Sequence, residues 1–240
     1  MIPVSEKWNY DTRGVINLIE SCQSQIKKSH STQPNDYQKV LDKLHNRLFT
    51  LYGVINESMP RDNGYYLLEA GKLIERILSR VRIIRSAFSF KTDSNVENQL
   101  IEAVLTNHYL LVHYRQIYKT NCSLETLLDM ILLDRQLPYS IAFQLDALSD
   151  CLAKLPNTDT NKHLNPAQKA VLAASTKVKL ADISKLTHFK KDTLYRKKLD
   201  KVLAEVYDLV TSVTTGLTQA YFAHTIIQHV EKEITETNEV

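Results

Sequence analysis

An all-α fold, a multi-helix bundle of about seven or eight amphipathic helices, is what this sequence predicts, and three observations predict it. Glycine and proline are scarce, at 5 and 6 in 240 residues, whereas strands would need frequent turns. Apolar residues recur at three- and four-residue spacing through nearly every stretch. The prolines after Pro3 all fall where that spacing breaks. A chain of this length can bury a proper core, and we read 1–240 as one helical domain.

The elements follow in order. Residues 5–29 read as a first helix, with Trp8, Val15, Leu18, Ile19, Cys22 and Ile26 on one face. After a polar break around Pro34, Asn35 or Asp36 caps a helix to about Glu57. Its apolar face is Tyr37, Val40, Leu41, Leu44, Leu48, Leu51 and Ile55. Met59 to Gly64 interrupts the pattern, because Pro60 disfavours helix before it and Asn63-Gly64 tolerates unusual backbone angles. A helix from Tyr65 to about Lys91 carries the stripe Leu67, Ala70, Ile74, Ile77, Leu78, Val81, Ile84 and Phe88. Arg76 lies opposite that stripe, Glu75 and Arg82 flank it, and Arg85 falls inside it and so needs a partner or a route to water.

Asp93 or Ser94 caps a single helix from Asn95 to Lys119, with Leu100, Ala103, Val104, Leu111 and Tyr114 facing the core. Ser123 caps Leu124–Leu133, Asp134 to Pro138 forms an elbow, and Pro138 opens a helix through Ile141, Leu145, Leu148 and Leu152. Residues 157–165 read as a mobile loop. Pro166 starts a helix to about Asp182. A last long helix with the stripe Leu199, Leu203, Val206, Leu209, Val210, Val213, Leu217 and Tyr221 reaches about Glu231, and 232–240 frays.

Charge and motif content exclude several classes. Formal charge is +3, from 30 basic and 27 acidic residues, which is no nucleic-acid footprint. The basic run from Lys185 through Arg196 to Lys201 contains Asp192 and Asp200 and reads as a solvated helix face. The uncharged run Leu209–Val230 is too polar to cross a membrane. Three separate cysteines and no apolar leader predict a cytoplasmic protein with free thiols. His108 and His113, like His224 and His229, are five apart and so about 140° around a helix, a spacing that cannot easily pinch a metal. No glycine-rich phosphate loop is present, so no metal or cofactor is expected. The tyrosines Tyr65, Tyr66, Tyr109, Tyr114 and Tyr118 read as core and seam. What remains is a set of charged residues around the breaks: Arg61-Asp62, Glu75-Arg76, Arg115 and Asp134-Arg135. A polar network that fixes helix register is the first reading of them.

At these residues the sequence resembles the Alpha-E family, bacterial helical proteins named for a Glu-Arg pair. Ser58-Met-Pro-Arg-Asp-Asn-Gly-Tyr followed by Leu67-Leu-Glu-Ala-Gly-Lys-Leu-Ile-Glu-Arg resembles the family's T-M-x-R-D-E-G-W … L-G-R-x-x-E-R-A segment. Tyr114-Arg-Gln-Ile-Tyr118 is similar to its A-Y-R-x-x-Y segment. Ile131-Leu-Leu-Asp-Arg-Gln-Leu-Pro-Tyr-Ser-Ile141 is similar to L-L-x-D-x-x-x-P-R-S-V, and Ala220-Tyr-Phe222 to its closing aromatic pair. Tyr139 stands where the family has a basic residue, Lys72 where it has arginine, and Tyr65 where it has tryptophan. Family members usually carry an earlier repeat with its own Glu-Arg helix, and this chain looks as though it begins after it, as a shortened member or a part of a longer protein.

The resemblance implies association with circularly permuted ATP-grasp ligases that make amide-linked peptides. Two hypotheses stay open. In the first, the domain is a non-catalytic helical accessory or substrate-binding component of such a system, binding the ligase or its peptide substrate through Arg61, Asp62, Glu75, Arg76, Arg115 and Arg135. In the second, it is an enzyme of that pathway, with Glu75 as acid or base, Asp134 beside it, and arginines holding a carboxylate or phosphate. A PhoU-like regulatory bundle is a further alternative by analogy of fold. A missing repeat would leave an apolar face that a homodimer could bury.

Overall fold

A computed structural model of the chain describes residues 16–21, 24, 34–119, 122–156 and 163–221. Most of the first predicted helix, residues 157–162 of the predicted loop, the histidines at 224 and 229 and the tail 232–240 lie outside the described residues. The fold is all-α. Among the described residues no strand forms, and one isolated antiparallel bridge joins Phe90 and Tyr195. The chain divides into two compact units, Met1–Tyr65 and Tyr66–Val240.

In the first unit, residues 16–21 are helical and the long helix α1 spans Pro34–Ser58. Arg47 Nη1 donates to the Leu18 carbonyl at 2.5 Å. Of the predicted apolar stripe, Ile55 is buried, Val40, Leu44 and Leu51 are half-buried, and Tyr37, Leu41 and Leu48 are exposed. Helical period settles which residues share a face but not what covers that face. The turn that follows is held locally. Asp62 N donates to the Pro60 carbonyl at 2.8 Å, and Asp62 Oδ1 accepts from Tyr65 N at 3.1 Å. That carboxylate satisfies one of the free amides at the start of the helix α2, Asn63–Phe88.

The second unit holds the main core. Along α2 the buried residues are Ala70, Leu73, Ile74, Ile77, Leu78, Val81, Ile84 and Phe88, which is the expected stripe with Leu73 added and Leu67 only half-buried. The single helix expected over 95–119 is two helices, α3 (Ser94–Asn107) and α4 (Leu111–Tyr118). Between them Tyr109 has φ 58° and is 88% exposed, while Leu110 and Tyr114 are buried. The left-handed residue resets the helical phase and brings Leu110 into the core, where Tyr114 is also buried as expected. It also corrects two assignments: Tyr109 is no core residue, and Ala103 faces outward while Ile101 and Leu105 are fully buried.

Helix α5 (Leu124–Leu128) starts on Ser123, whose Oγ accepts from Thr126 N at 3.2 Å, and continues as a π-helical turn, Asp129–Leu133. Helix α6 spans Ile141–Ala153 and is capped by Ser140. Pro138 therefore belongs to the preceding turn, not to the first turn of the helix as the sequence suggested. Helix α7 (Pro166–Lys179) has Pro166 at its start and a reciprocal cap, Asn165 Oδ1 with Gln168 N at 2.8 Å and Gln168 Oε1 with Asn165 N at 3.0 Å. The short α8 (Ile183–Thr187) leads to the long α9, Lys197–Tyr221. Helix α9 packs on α7 and α8, and α7 packs on α6. The approach of α9 to α7 depends on Gly216, where a Cβ would stand 3.2 Å from both the Cβ and the backbone N of Ala167.

Two polar features fix the end of the bundle where α2, α3 and α9 meet. Arg196 is 2% exposed and Glu97 8%, and Arg196 Nη2 meets Glu97 Oε2 at 2.5 Å. The same guanidinium donates to the carbonyls of Phe88 at 3.0 Å, Phe90 at 3.1 Å and Thr187 at 3.2 Å. Arg196 is thus no part of a solvated basic face, as its neighbours Lys197 and Lys198 are. It lies at the bridge just before α9, where three carbonyls beyond the helix ladders need a donor. Beside it, Asp200 accepts from Arg85 Nε at 2.6 Å, Tyr195 Oη at 2.6 Å and Ser89 Oγ at 3.2 Å. Asp200 is the partner that Arg85 called for.

The hydrogen bond from Arg85, aided by those from Tyr195 and Ser89, holds the Asp200 carboxyl below its ordinary range. Its contribution to stability is full above the unfolded-state value of about 3.9 and fades as pH falls through the lower folded value. Asp200→Asn should therefore cost about 1–2 kcal/mol at pH 7, after allowance for the exposed arginine. The gap from the native chain should close below about pH 4. Denaturant unfolding at a series of pH values checks this, and a gap independent of pH would rule out the charge as its cause.

Candidate functional site

The charged elbow between the π-helical turn and α6 is built from its own backbone. Asp134 Oδ1 accepts from the amides of Gln136 at 2.8 Å and Leu137 at 3.2 Å, a turn that a short carboxylate side chain is suited to close. Ser140, fully buried, donates to the Asp134 carbonyl and accepts from Phe143 N at 3.1 Å. With both ends of the turn tied, Tyr139 and Gln144 are presented to the side of α2. Gln144, 1% exposed, uses Nε2 on the Pro138 carbonyl at 3.1 Å, and its Oε1 accepts from Arg80 Nη1.

Arg80 is the centre of this arrangement. Its guanidinium carbon lies 3.9 Å from the Tyr139 ring centroid, a cation–π stack on one flat face. Its Nε is sealed from solvent and has no acceptor among the described residues. The Tyr139 ring also meets the His108 ring at 4.7 Å between centroids. Burial, together with the Arg80 charge, lowers the His108 pKa from its ordinary value, which keeps the imidazole neutral at pH 7. Burial raises the Tyr139 hydroxyl. Arg76, one turn earlier on α2, adds positive charge that weighs against Arg80. No Asp or Glu forms an ion pair with Arg80 among the described residues. The result is a half-buried cation oriented by Gln144 and Tyr139, without an ion pair among the described residues.

The other predicted site residues fall in separate places. Glu75 and Arg76 are both exposed on α2, and Glu75 makes no hydrogen bond or ion pair among the described residues. Its position on the flank of the stripe opens to solvent and not onto a neighbouring helix. Arg61 donates to the Asn56 carbonyl at 2.7 Å and stacks 4.0 Å from the Tyr65 ring centroid, and Asp62 caps α2. Arg115 pairs with Glu102 at 3.2 Å on an exposed surface. Arg135 reaches Asp146 at 3.2 Å, which Lys179 also contacts. No hydrogen bond or ion pair among the described residues joins Glu75 to Asp134.

Other chemistries have little local support. Among the described residues no three His, Cys, Asp or Glu side chains group as metal ligands would. Burial pushes the Cys151 thiol up to about 11, and its Sγ contacts the Tyr66 carbonyl at 3.0 Å, so it is poor as a nucleophile. An open cleft of about 580 Å³ beside the start of α3 is lined by Lys91, Thr92, Asp93, Phe189 and Leu194. Lys91 is already paired there with Glu97 at 2.7 Å.

Sequence reasoning missed Arg80. One signal could have found it: Arg80 follows Arg76 by one helical turn, and two arginines four apart share a face and repel unless something relieves them.

The fold and these surfaces define an all-helical domain with separate charged groups on its surface and an arginine clamped by Gln144 and Tyr139. The chain belongs to the Alpha-E family, described as a predicted alpha-helical domain with a conserved ER motif, whose model matches residues 4–222. It is 28% identical over 176 residues to an uncharacterised protein of Mycobacterium tuberculosis and, to the same extent, to one of Mycobacterium bovis. Those matches cover 73% of this chain and 20% of each relative, so the chain spans about a fifth of their length. No solved structure matches it. No helix among the described residues is long and apolar enough to cross a membrane.

Proposed function

We propose that this domain is a helical accessory or substrate-binding component of an ATP-grasp amide-ligase system, with no reaction of its own. The observation that supports this reading is the outward placement of the Glu75-Arg76 pair on a rigid core helix. A general base must stand within hydrogen-bond reach of its partner and of the reacting proton. Glu75 stands apart, and one Asp134 oxygen is taken by two turn amides. An exposed pair of opposite charges on a helix suits recognition of a partner surface. The ligase itself comes from the family resemblance alone.

The test is co-purification of the full chain with a circularly permuted ATP-grasp ligase from the same organism, with and without nucleotide. Association is expected, weakened at least tenfold by the charge reversals Glu75→Lys and Arg76→Glu. No association in either nucleotide state would overturn the proposal.

A further inference from the structure

We infer that the open cleft at the start of α3 is a docking site for an acidic segment of a partner protein. The segment sets a carboxylate on Lys91 and a bulky aliphatic side chain between Val96, Phe189 and Leu194. The cleft lies past the end of α2, which is roughly 18 Å along that helix from Arg76. It is therefore a second surface and does not rest on the role proposed for Glu75 and Arg76.

The walls are in place before any ligand arrives. Lys91 N donates to the Leu194 carbonyl at 2.6 Å and Arg196 N to the Ser89 carbonyl at 2.8 Å, beside the bridge between Phe90 and Tyr195. Leu194 N in turn donates to the Lys190 carbonyl at 2.8 Å. These bonds hold Leu194 at φ 52°, a left-handed conformation disfavoured for any residue with a Cβ. Leu194 and Val96 stay 46% and 44% exposed in a cleft of about 580 Å³, a volume ordinary for ligand sites. Phe189 adds an aromatic wall, its ring centroid 5.9 Å from the Arg196 guanidinium. Since the cleft is open, a segment enters without breaking any of these bonds, and fixed walls lower the cost of ordering the site.

Charge selects the ligand. Glu97 is shared by Arg196 at 2.5 Å and Lys91 at 2.7 Å, so one carboxylate serves two cations and a positive excess remains. An ammonium has three donors, and Lys91 spends one side-chain hydrogen bond on Glu97 while it lines the cleft. Lys190 and Lys191, on the loop that carries Phe189 and Leu194, are exposed and make no ion pair among the described residues. The same holds for Lys197 and Lys198 just beyond it. Asp192 and Asp93 offset part of this charge, and Asp93 lines the cleft itself. That carboxylate opposes a continuous polyanion such as a nucleic acid, whereas a peptide can place separate carboxylates on the lysine side.

The test is an NMR titration of the full chain with three capped pentapeptides: leucine between two pairs of aspartates, the same with alanine for leucine, and the same with asparagine for aspartate. The first should shift the amide resonances of Thr92, Val96 and Leu194, and each of the others should bind at least about tenfold more weakly. Lys91→Met keeps the stem but loses the charge, and should weaken the first peptide roughly tenfold. Leu194→Asn removes the apolar wall with a residue that accepts left-handed backbone and keeps the carbonyl that Lys91 N uses. It should also weaken binding roughly tenfold, and serves if the Lys91 variant misfolds. Equal binding of the alanine or the asparagine peptide would overturn the assignment, the first by removing the apolar walls from the site and the second by removing the lysine. A tighter response to a thymidine hexanucleotide than to any peptide would overturn it in favour of a nucleic-acid surface. No shift at the three amides with any probe would overturn the cleft as a docking site.

Discussion

Arg196→Ala is expected to lower the free energy of unfolding by about 3–5 kcal/mol, the range for removing one member of a buried ion pair. The arginine is 2% exposed and is shared between Glu97 and three backbone carbonyls, so its loss strands acceptors from three segments of chain at once. Lys91 still contacts Glu97 at 2.7 Å, which favours the lower half of the range. Urea unfolding of the native chain, Arg196→Ala, Glu97→Gln and the double variant would measure the coupling. The double variant should be milder than the sum of the singles, because the carboxylate that lost its partner is then gone. A loss under about 1 kcal/mol for Arg196→Ala would mean that water reaches the site and the pair is effectively at the surface.

Phe88→Ala should cost a similar amount, about 3–5 kcal/mol, for a different reason. Phe88 is the last residue of the α2 stripe and is fully buried. Its removal leaves a cavity where α2 ends, and the hydrogen bond from Arg196 to the Phe88 carbonyl limits how far the backbone can collapse into it. Two residues on, Phe90 provides the control. It is 58% exposed and meets Tyr195 ring to ring at 5.1 Å, so Phe90→Ala should cost less than about 1 kcal/mol. Chemical unfolding of the two variants, with unchanged slope against denaturant, checks the contrast. Equal effects would show that burial does not govern stability at this end of the bundle.

Much of the fold was legible because helical period is a local property. The α2 stripe and the inner faces of α6 and α9 could be read from spacing, and the caps at Ser123 and Pro166 from residue type. The break at Tyr109 was not legible, since it contains neither glycine nor proline and exists because Leu110 and Tyr114 are drawn to the core. Arg196 could not be told from the lysines around it, because its acceptors lie up to 108 residues away in sequence. The same holds for the elbow. Asp134, Pro138 and Ser140 mark a turn in any reading, yet that the turn presents Tyr139 and Gln144 to Arg80 depends on a contact spanning 64 residues.

By itself, then, the sequence determined that this protein is helical, where most helices start, which faces are apolar, and the family to which it belongs. The tertiary structure decided which polar groups meet. It pairs Arg196 with Glu97 and Arg85 with Asp200, turns Glu75 and Arg76 to solvent, and clamps Arg80 between Gln144 and Tyr139. The physical reason is range: propensity and periodicity act over a few residues, whereas the pairing of charges depends on how the packed helices bring distant segments together.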